Sequence, residues 1–78
     1  MFYVVYTRDN CAYCKMAIKE LHEKSLEYVV IQEEKTTQQK QENYNWKTVP
    51  LICKSTEQGE QFIGGYTELH NLLKEENK

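Results

Sequence analysis

Cys11 and Cys14 enclose only Ala12 and Tyr13, and this pair is the part of the 78-residue chain best equipped for chemistry. On a helix, residues three apart lie roughly 5–6 Å from one another between Cβ atoms, a separation that a disulfide can close with modest adjustment. The surrounding residues place the pair at a helix start. Phe2-Tyr3-Val4-Val5-Tyr6 is an uninterrupted β-branched and aromatic run that predicts a strand buried on both faces. Thr7-Arg8-Asp9-Asn10 supplies turn and capping residues, after which Cys14, Ala17, Ile18 and Leu21 fall on one helical face. Cys11 is thus expected in the first turn of a helix leaving the carboxyl end of a strand. Free amide groups and the helix dipole stabilise a thiolate there, and Arg8 adds positive charge. Cys11 is then the attacking thiolate on a disulfide, and Cys14 the thiol that releases the mixed disulfide.

The same pair could be half of a zinc site, which needs two further ligands. The candidates are Cys53, in an apolar stretch, and His22 and His70, at polar positions of helices. There is no second C-x-x-C and no H-x-x-x-H, so no metal is expected. Cys53 reads as a small buried hydrophobe. Three cysteines do not build a disulfide-stapled secreted scaffold, and a close pair in a reducing compartment points to a catalytic or metal-binding role rather than a structural one.

These residues must be positioned by the rest of the chain. The first helix is expected to end near Lys24, and Tyr28-Val29-Val30-Ile31 reads as a second strand. Thr36 followed by Gln39 fits a capping box, which predicts a short polar helix from about Thr37 to Tyr44. Thr48 to Cys53 reads as a third strand with a proline near its start. Thr56-Glu57-Gln58-Gly59 is a hairpin turn, and Gln61-Phe62-Ile63 a fourth strand. Gly64-Gly65 precedes a last helix with Tyr66, Leu69, Leu72 and Leu73 on one face, followed by a frayed charged tail from Lys74 to Lys78. A helix between the first two strands implies a parallel pair, and a tight turn between the last two an antiparallel pair. The fold class is α/β: a thioredoxin-like, four-stranded mixed sheet flanked by three helices (βαβ-α-ββα), with residues 1–78 forming a single domain.

Composition narrows the partners. Ten basic and twelve acidic residues give a net charge of −2 with no block of like charge, so nucleic acid is not expected as a partner. No apolar run approaches the roughly 20 residues that span a bilayer. The amino-terminal residues have neither the basic start nor the cleavage site of a signal peptide, so a cytoplasmic location is expected; the chain is also expected to be a monomer.

Tyr6-Thr7-Arg8-Asp9-Asn10-Cys11-Ala12-Tyr13-Cys14, Thr48-Val49-Pro50 and Gly64-Gly65-Tyr66-Thr67-Glu68-Leu69 together resemble the three signature segments of glutaredoxins, in order and across nearly the whole chain. The chain is similar to short dithiol members of bacterial or phage type. The resemblance implies a single co-substrate, glutathione, contacted by Arg8, Tyr13, Thr48, Val49, Pro50, Gly65, Tyr66, Thr67 and Glu68. Cys11 would form the mixed disulfide with glutathione, and Pro50 would be a cis-proline that lets Val49 present its backbone to the cysteinyl part. Thr67 and Glu68 would hold the γ-glutamyl end, while Arg8, with Gln39 or Lys40, would reach the glycine carboxylate. The implied partners are disulfide-containing proteins such as ribonucleotide reductase.

Three positions depart from the family pattern. Ala12 replaces the usual proline between the cysteines, Glu68 replaces the commoner aspartate, and Cys53 stands where a large apolar residue is frequent. Two alternatives follow from the same residues. One is a small thioredoxin-like donor reduced directly by a flavin reductase. The other is a dimer holding an iron–sulfur cluster through Cys11 and two glutathiones, which Cys14 disfavours.

Overall fold

The computed structural model describes residues 1–76 and forms β1 (Phe2–Tyr6), α1 (Ala12–Glu23), β2 (Tyr28–Ile31), α2 (Glu34–Tyr44), β3 (Leu51–Thr56), β4 (Gly59–Gly64) and α3 (Tyr66–Glu76) in that order. The sheet order is β2-β1-β3-β4, with β1 parallel to β2 and antiparallel to β3, and β3 antiparallel to β4. This is the mixed four-stranded sheet with three helices expected from the sequence. β1 lies in the interior of the sheet, which is why Tyr3 through Tyr6 are all buried despite pointing alternately to opposite faces.

Each face has its own core. Tyr3, Val5 and Ile52 pack with Ala17 and Leu21 of α1 and with Leu69 and Leu73 of α3. Val4, Tyr6, Leu51 and Cys53 form the opposite face, covered by Tyr44, Trp46 and Phe62. Each fully buried Leu or Ile here contributes about 1.5–3 kcal/mol of transfer free energy. α1 and α2 end in the same way: a residue in the left-handed region, Ser25 (φ 56) or Asn45 (φ 54), turns the chain back. The next amide, of Leu26 or Trp46, then donates to the carbonyl of Leu21 (3.0 Å) or Gln41 (2.8 Å).

Several boundaries differ from the sequence reading. α2 begins at Glu34, not near Thr37, and its N-cap Glu33 makes no side-chain capping bond. Thr37 is instead fully buried inside the helix, and its hydroxyl donates to the carbonyl of Thr7 at 3.3 Å. β3 starts after Pro50, not at Thr48, because proline has no amide to donate to a ladder. β4 is longer than expected and carries a register shift opposite Ile52 and Cys53 that brings the chain into Gly64 with φ 131. Lys74 to Glu76 continue α3 rather than fraying. The remainder of the expected tail, Asn77 and Lys78, lies outside the described residues.

α2 is fastened to the sheet by one carboxylate. Glu60 on β4 accepts from Tyr6 Oη (3.3 Å), from Lys40 Nζ (2.9 Å) and from Tyr44 Oη. Burial alone would raise the Glu60 pKa, but the Lys40 and Tyr44 hydrogen bonds outweigh it and hold the carboxyl below its ordinary value. The hydrogen bond to Glu60, with burial, pushes the Tyr44 phenol up to about 12. Cys53 lies beneath this group, and its thiol is likewise pushed up to about 12, by burial first and then by the Glu60 charge.

Candidate active site

Asn10, in the left-handed region at φ 57, turns the chain from β1 into α1. Cys11 is thereby the N-cap of α1, one residue before the first turn where the sequence reading put it. Its Sγ accepts a hydrogen bond from the Cys14 amide at 3.1 Å, the bond that N-cap serine or aspartate ordinarily accepts. The first turn of α1 contains no acidic residue. A thiolate at Cys11 therefore has an amide donor and the positive helix end, with no carboxylate in that turn to oppose it. Cys11 and Cys14 are joined as a disulfide with Cα atoms 5.2 Å apart; Cys14 is buried and Cys11 half-buried.

Eight of the nine residues expected to contact glutathione line one groove of about 320 Å³: Tyr13, Thr48, Val49, Pro50, Gly65, Tyr66, Thr67 and Glu68. The Val49–Pro50 peptide is cis, as the resemblance implied. Three distant segments meet here because β3 and α3 both begin at the end of the sheet where β1 feeds α1. Tyr13 and Tyr66 stack at 6.1 Å between ring centroids, tying the cysteine turn to the start of α3. Gly65 is the residue before α3, and its amide donates to Glu68 Oε1 at 2.8 Å, the backward half of a capping box.

Arg8, the ninth, stands apart from this groove. Together with Asn10, Lys15, Ile18, Val30 and both cysteines it lines a second cleft of about 260 Å³ on the other side of the α1 start. Its Nη2 donates to Gln41 Oε1 at 2.9 Å, and Gln41 Nε2 donates to the Thr48 carbonyl at 3.1 Å. The α2 side chain hydrogen-bonded to Arg8 is thus Gln41, rather than Gln39 or Lys40. Lys40 is turned to Glu60 instead, and one residue further along the helix is about 100° further round.

Trp46, close enough to Thr48 in sequence to border the active site, also lines the groove, though it is not among the glutathione contacts the resemblance implies. Its indole Nε1 is buried with no hydrogen-bond partner among the described residues, and its ring lies edge-on to Phe62 at 5.5 Å. The signal was a large aromatic two residues before Thr48, in an otherwise polar stretch. A Cβ on Gly65 would stand 3.3 Å from the Trp46 ring and 3.5 Å from the Pro50 carbonyl oxygen, so the groove floor is closed by a glycine. His70, expected to be solvated, is exposed yet hydrogen-bonded through Nδ1 to Glu20 Oε1 at 2.6 Å, linking α3 to α1.

Residues 3–57 match the glutaredoxin family model. The chain belongs to the glutaredoxin family. Solved structures agree with this glutaredoxin assignment. The solution structure of a glutaredoxin from Brucella melitensis is 27% identical, with a TM-score of 0.76 over 96% of this chain and 80% of that one. The crystal structure of glutaredoxin 1 from Francisella tularensis complexed with cacodylate is also 27% identical, with a TM-score of 0.64 over 97% of this chain and 96% of that one. No match was found among curated proteins. Glutaredoxin membership and the Cys11–Cys14 pair imply thiol–disulfide oxidoreductase chemistry. Among the described residues, no group of three or more His, Cys, Asp or Glu side chains could hold a metal ion, and no helix is long and apolar enough to cross a membrane.

Proposed function

We propose that this glutaredoxin is glutathione-dependent, reducing glutathione mixed disulfides and protein disulfides with Cys11 as nucleophile and Cys14 as resolving thiol. The observation that carries this is the groove beside the cysteine turn, where Tyr13, Thr48-Val49-Pro50 and Gly65 to Glu68 converge. Its donor set suits a γ-glutamyl group. The α3 start offers backbone amides and the Thr67 hydroxyl to a carboxylate, and the Glu68 carboxylate offers a partner to an ammonium. Glutathione, when bound, supplies the two-electron reductant.

With a glutathione mixed disulfide, the Cys11 thiolate attacks the glutathione sulfur, and the substrate leaves as its thiolate and takes a proton. A second glutathione then attacks the same sulfur, giving oxidised glutathione and restoring Cys11. With a protein disulfide, Cys11 forms the mixed disulfide and Cys14 attacks Cys11 Sγ. The Cys11–Cys14 bond forms as the reduced substrate departs. Two glutathiones then return the dithiol. Ribonucleotide reductase is one candidate substrate of this second kind. A cytoplasmic setting, where thiols are kept reduced, suits both routes.

The test is reduction of a glutathione mixed disulfide, coupled to glutathione reductase and NADPH, in wild type, Cys11→Ser and Cys14→Ser. Activity lost in Cys11→Ser and kept in Cys14→Ser is the expected result. Inactive wild type that is instead turned over directly by thioredoxin reductase would mean the α3 start does not hold glutathione.

A further inference from the structure

The disulfide lies between two clefts that share no lining residue. One is the groove assigned above to glutathione; the other is bounded by Arg8, Asp9, Asn10, Lys15, Ile18 and Val30, of which only Arg8 is among the expected glutathione contacts. Resting on the oxidoreductase reading, we propose that this second cleft receives an extended segment of a protein disulfide substrate, carrying an acidic side chain close to its cysteine.

The cleft opens on the free edge of the sheet. Among the described residues β2 pairs only with β1, leaving its outer side without a strand partner, and Val29 and Val30 are 46% and 41% exposed. Val30 and Ile18 of α1 both line the cleft. An edge strand with exposed valines is a template for an extended chain, which gains backbone hydrogen bonds there irrespective of its sequence. The cleft is continuous with the reacting centre, because Cys11 and Cys14 themselves form part of its lining. A chain laid on this edge therefore reaches the reacting sulfurs without entering the glutathione groove.

Charge selects the occupant. Arg8 and Lys15 bring two positive charges beside the cysteines against the single negative charge of Asp9, which also lines the cleft and accepts from the Gln32 side-chain amide, so the lining stays net positive. Beyond Arg8 and Asp9 the surface continues to Glu34, so the positive character is confined to the cysteine end. An aspartate or glutamate near the substrate cysteine is favoured, and a lysine there is disfavoured.

The experiment uses three substrates: glutathione mixed disulfides of an Asp-flanked peptide, of the otherwise identical Lys-flanked peptide, and of 2-mercaptoethanol. The wild type should turn over the acidic peptide with a kcat/KM about three- to five-fold above the basic one, the size of a partly exposed charge contact. Lys15→Glu should abolish or invert that ratio. Val30→Ser should lower both peptide rates relative to the 2-mercaptoethanol substrate. Lys15 and Val30 are both exposed, so neither change disturbs the core. A wild-type acidic-to-basic ratio near one, or a ratio that Lys15→Glu leaves unchanged, overturns the cleft assignment while turnover of the small substrate keeps the glutathione reading intact. No turnover of any of the three overturns both.

Discussion

Glu68 reaches back along the first turn of α3 and accepts the Gly65 amide hydrogen at 2.8 Å, so the side chain that would meet a γ-glutamyl ammonium also caps the helix. The two roles separate by substitution. Glu68→Gln keeps an acceptor for Gly65 and should retain wild-type stability, while raising KM for glutathione several-fold through loss of the charge. Glu68→Ala should raise KM similarly and also lose about 0.5–1 kcal/mol of stability. Urea denaturation and glutathione-dependent kinetics, measured on both variants, check the split.

Gly64 is dictated by the same side chain. Its φ is 131, and a Cβ there would stand 2.7 Å from Glu68 Cγ. Gly64→Ala should cost about 1–3 kcal/mol and displace Glu68 from its cap. The expected outcome is a lowered urea midpoint together with a raised KM for glutathione. Gly59→Ala is the control: its φ of 118 also strains the backbone, but nothing lies within 4 Å of an added Cβ, so KM should not change.

Gln41 joins Arg8 to the Thr48 carbonyl and so links the loop before Cys11 to the segment before Pro50. Gln41→Ala removes both bonds on an accessible surface, where each contributes about 0.5–1.5 kcal/mol. The expected effect is a raised KM for glutathione with kcat within about two-fold of wild type, since no group touching the reacting sulfurs is changed. Equal losses in kcat and kcat/KM would show that Gln41 acts on the chemical step instead.

Cys53 is fully buried, with its thiol pushed up to about 12 by burial and the Glu60 charge. At about pH 8 it should stay protonated and inert. In the Cys11→Ser, Cys14→Ser double variant, Ellman's reagent should find no fast-reacting thiol until denaturant is added. Rapid reaction in the native state would contradict the placement of Cys53 beneath Tyr44.

Glu60 makes the attachment of α2 acid-sensitive. Its pKa in the fold lies below the unfolded value, so its contribution is present above the ordinary carboxylate range and is lost as pH falls through the lowered folded value. Urea midpoints of wild type and Glu60→Gln should differ most at neutral pH and converge as the pH falls below the ordinary carboxylate range. A constant gap across that range would assign the difference to packing.

Much of this architecture was legible because its signals are local. The strand at Phe2 to Tyr6 is an unbroken β-forming run, and the helix after Cys11 shows its apolar face directly. The groove residues carried a family resemblance in three segments. What stayed hidden has identifiable causes. α2 buries only Thr37, so it has no apolar stripe, and the capping motif at Thr36 marked the wrong residue. The two helix stops use Ser25 and Asn45 in the left-handed region, where the commoner marker is glycine. Gln41 reaches the site through the fold of α2 against the loop before Cys11, a tertiary consequence that no single segment announces.

The central claim is that Cys11 carries glutathione while the tripeptide lies in the groove between Tyr13, the Thr48–Pro50 segment and the α3 start. The most direct measurement forms the glutathione adduct of the Cys14→Ser variant with oxidised glutathione and maps it by peptide mass and by backbone amide NMR. One adduct on Cys11, with shift changes concentrated at Thr48, Val49 and Gly65 to Glu68, is the predicted result. An adduct on Cys11 that leaves Gly65 to Glu68 unshifted and perturbs Lys15 and Val30 instead would contradict it.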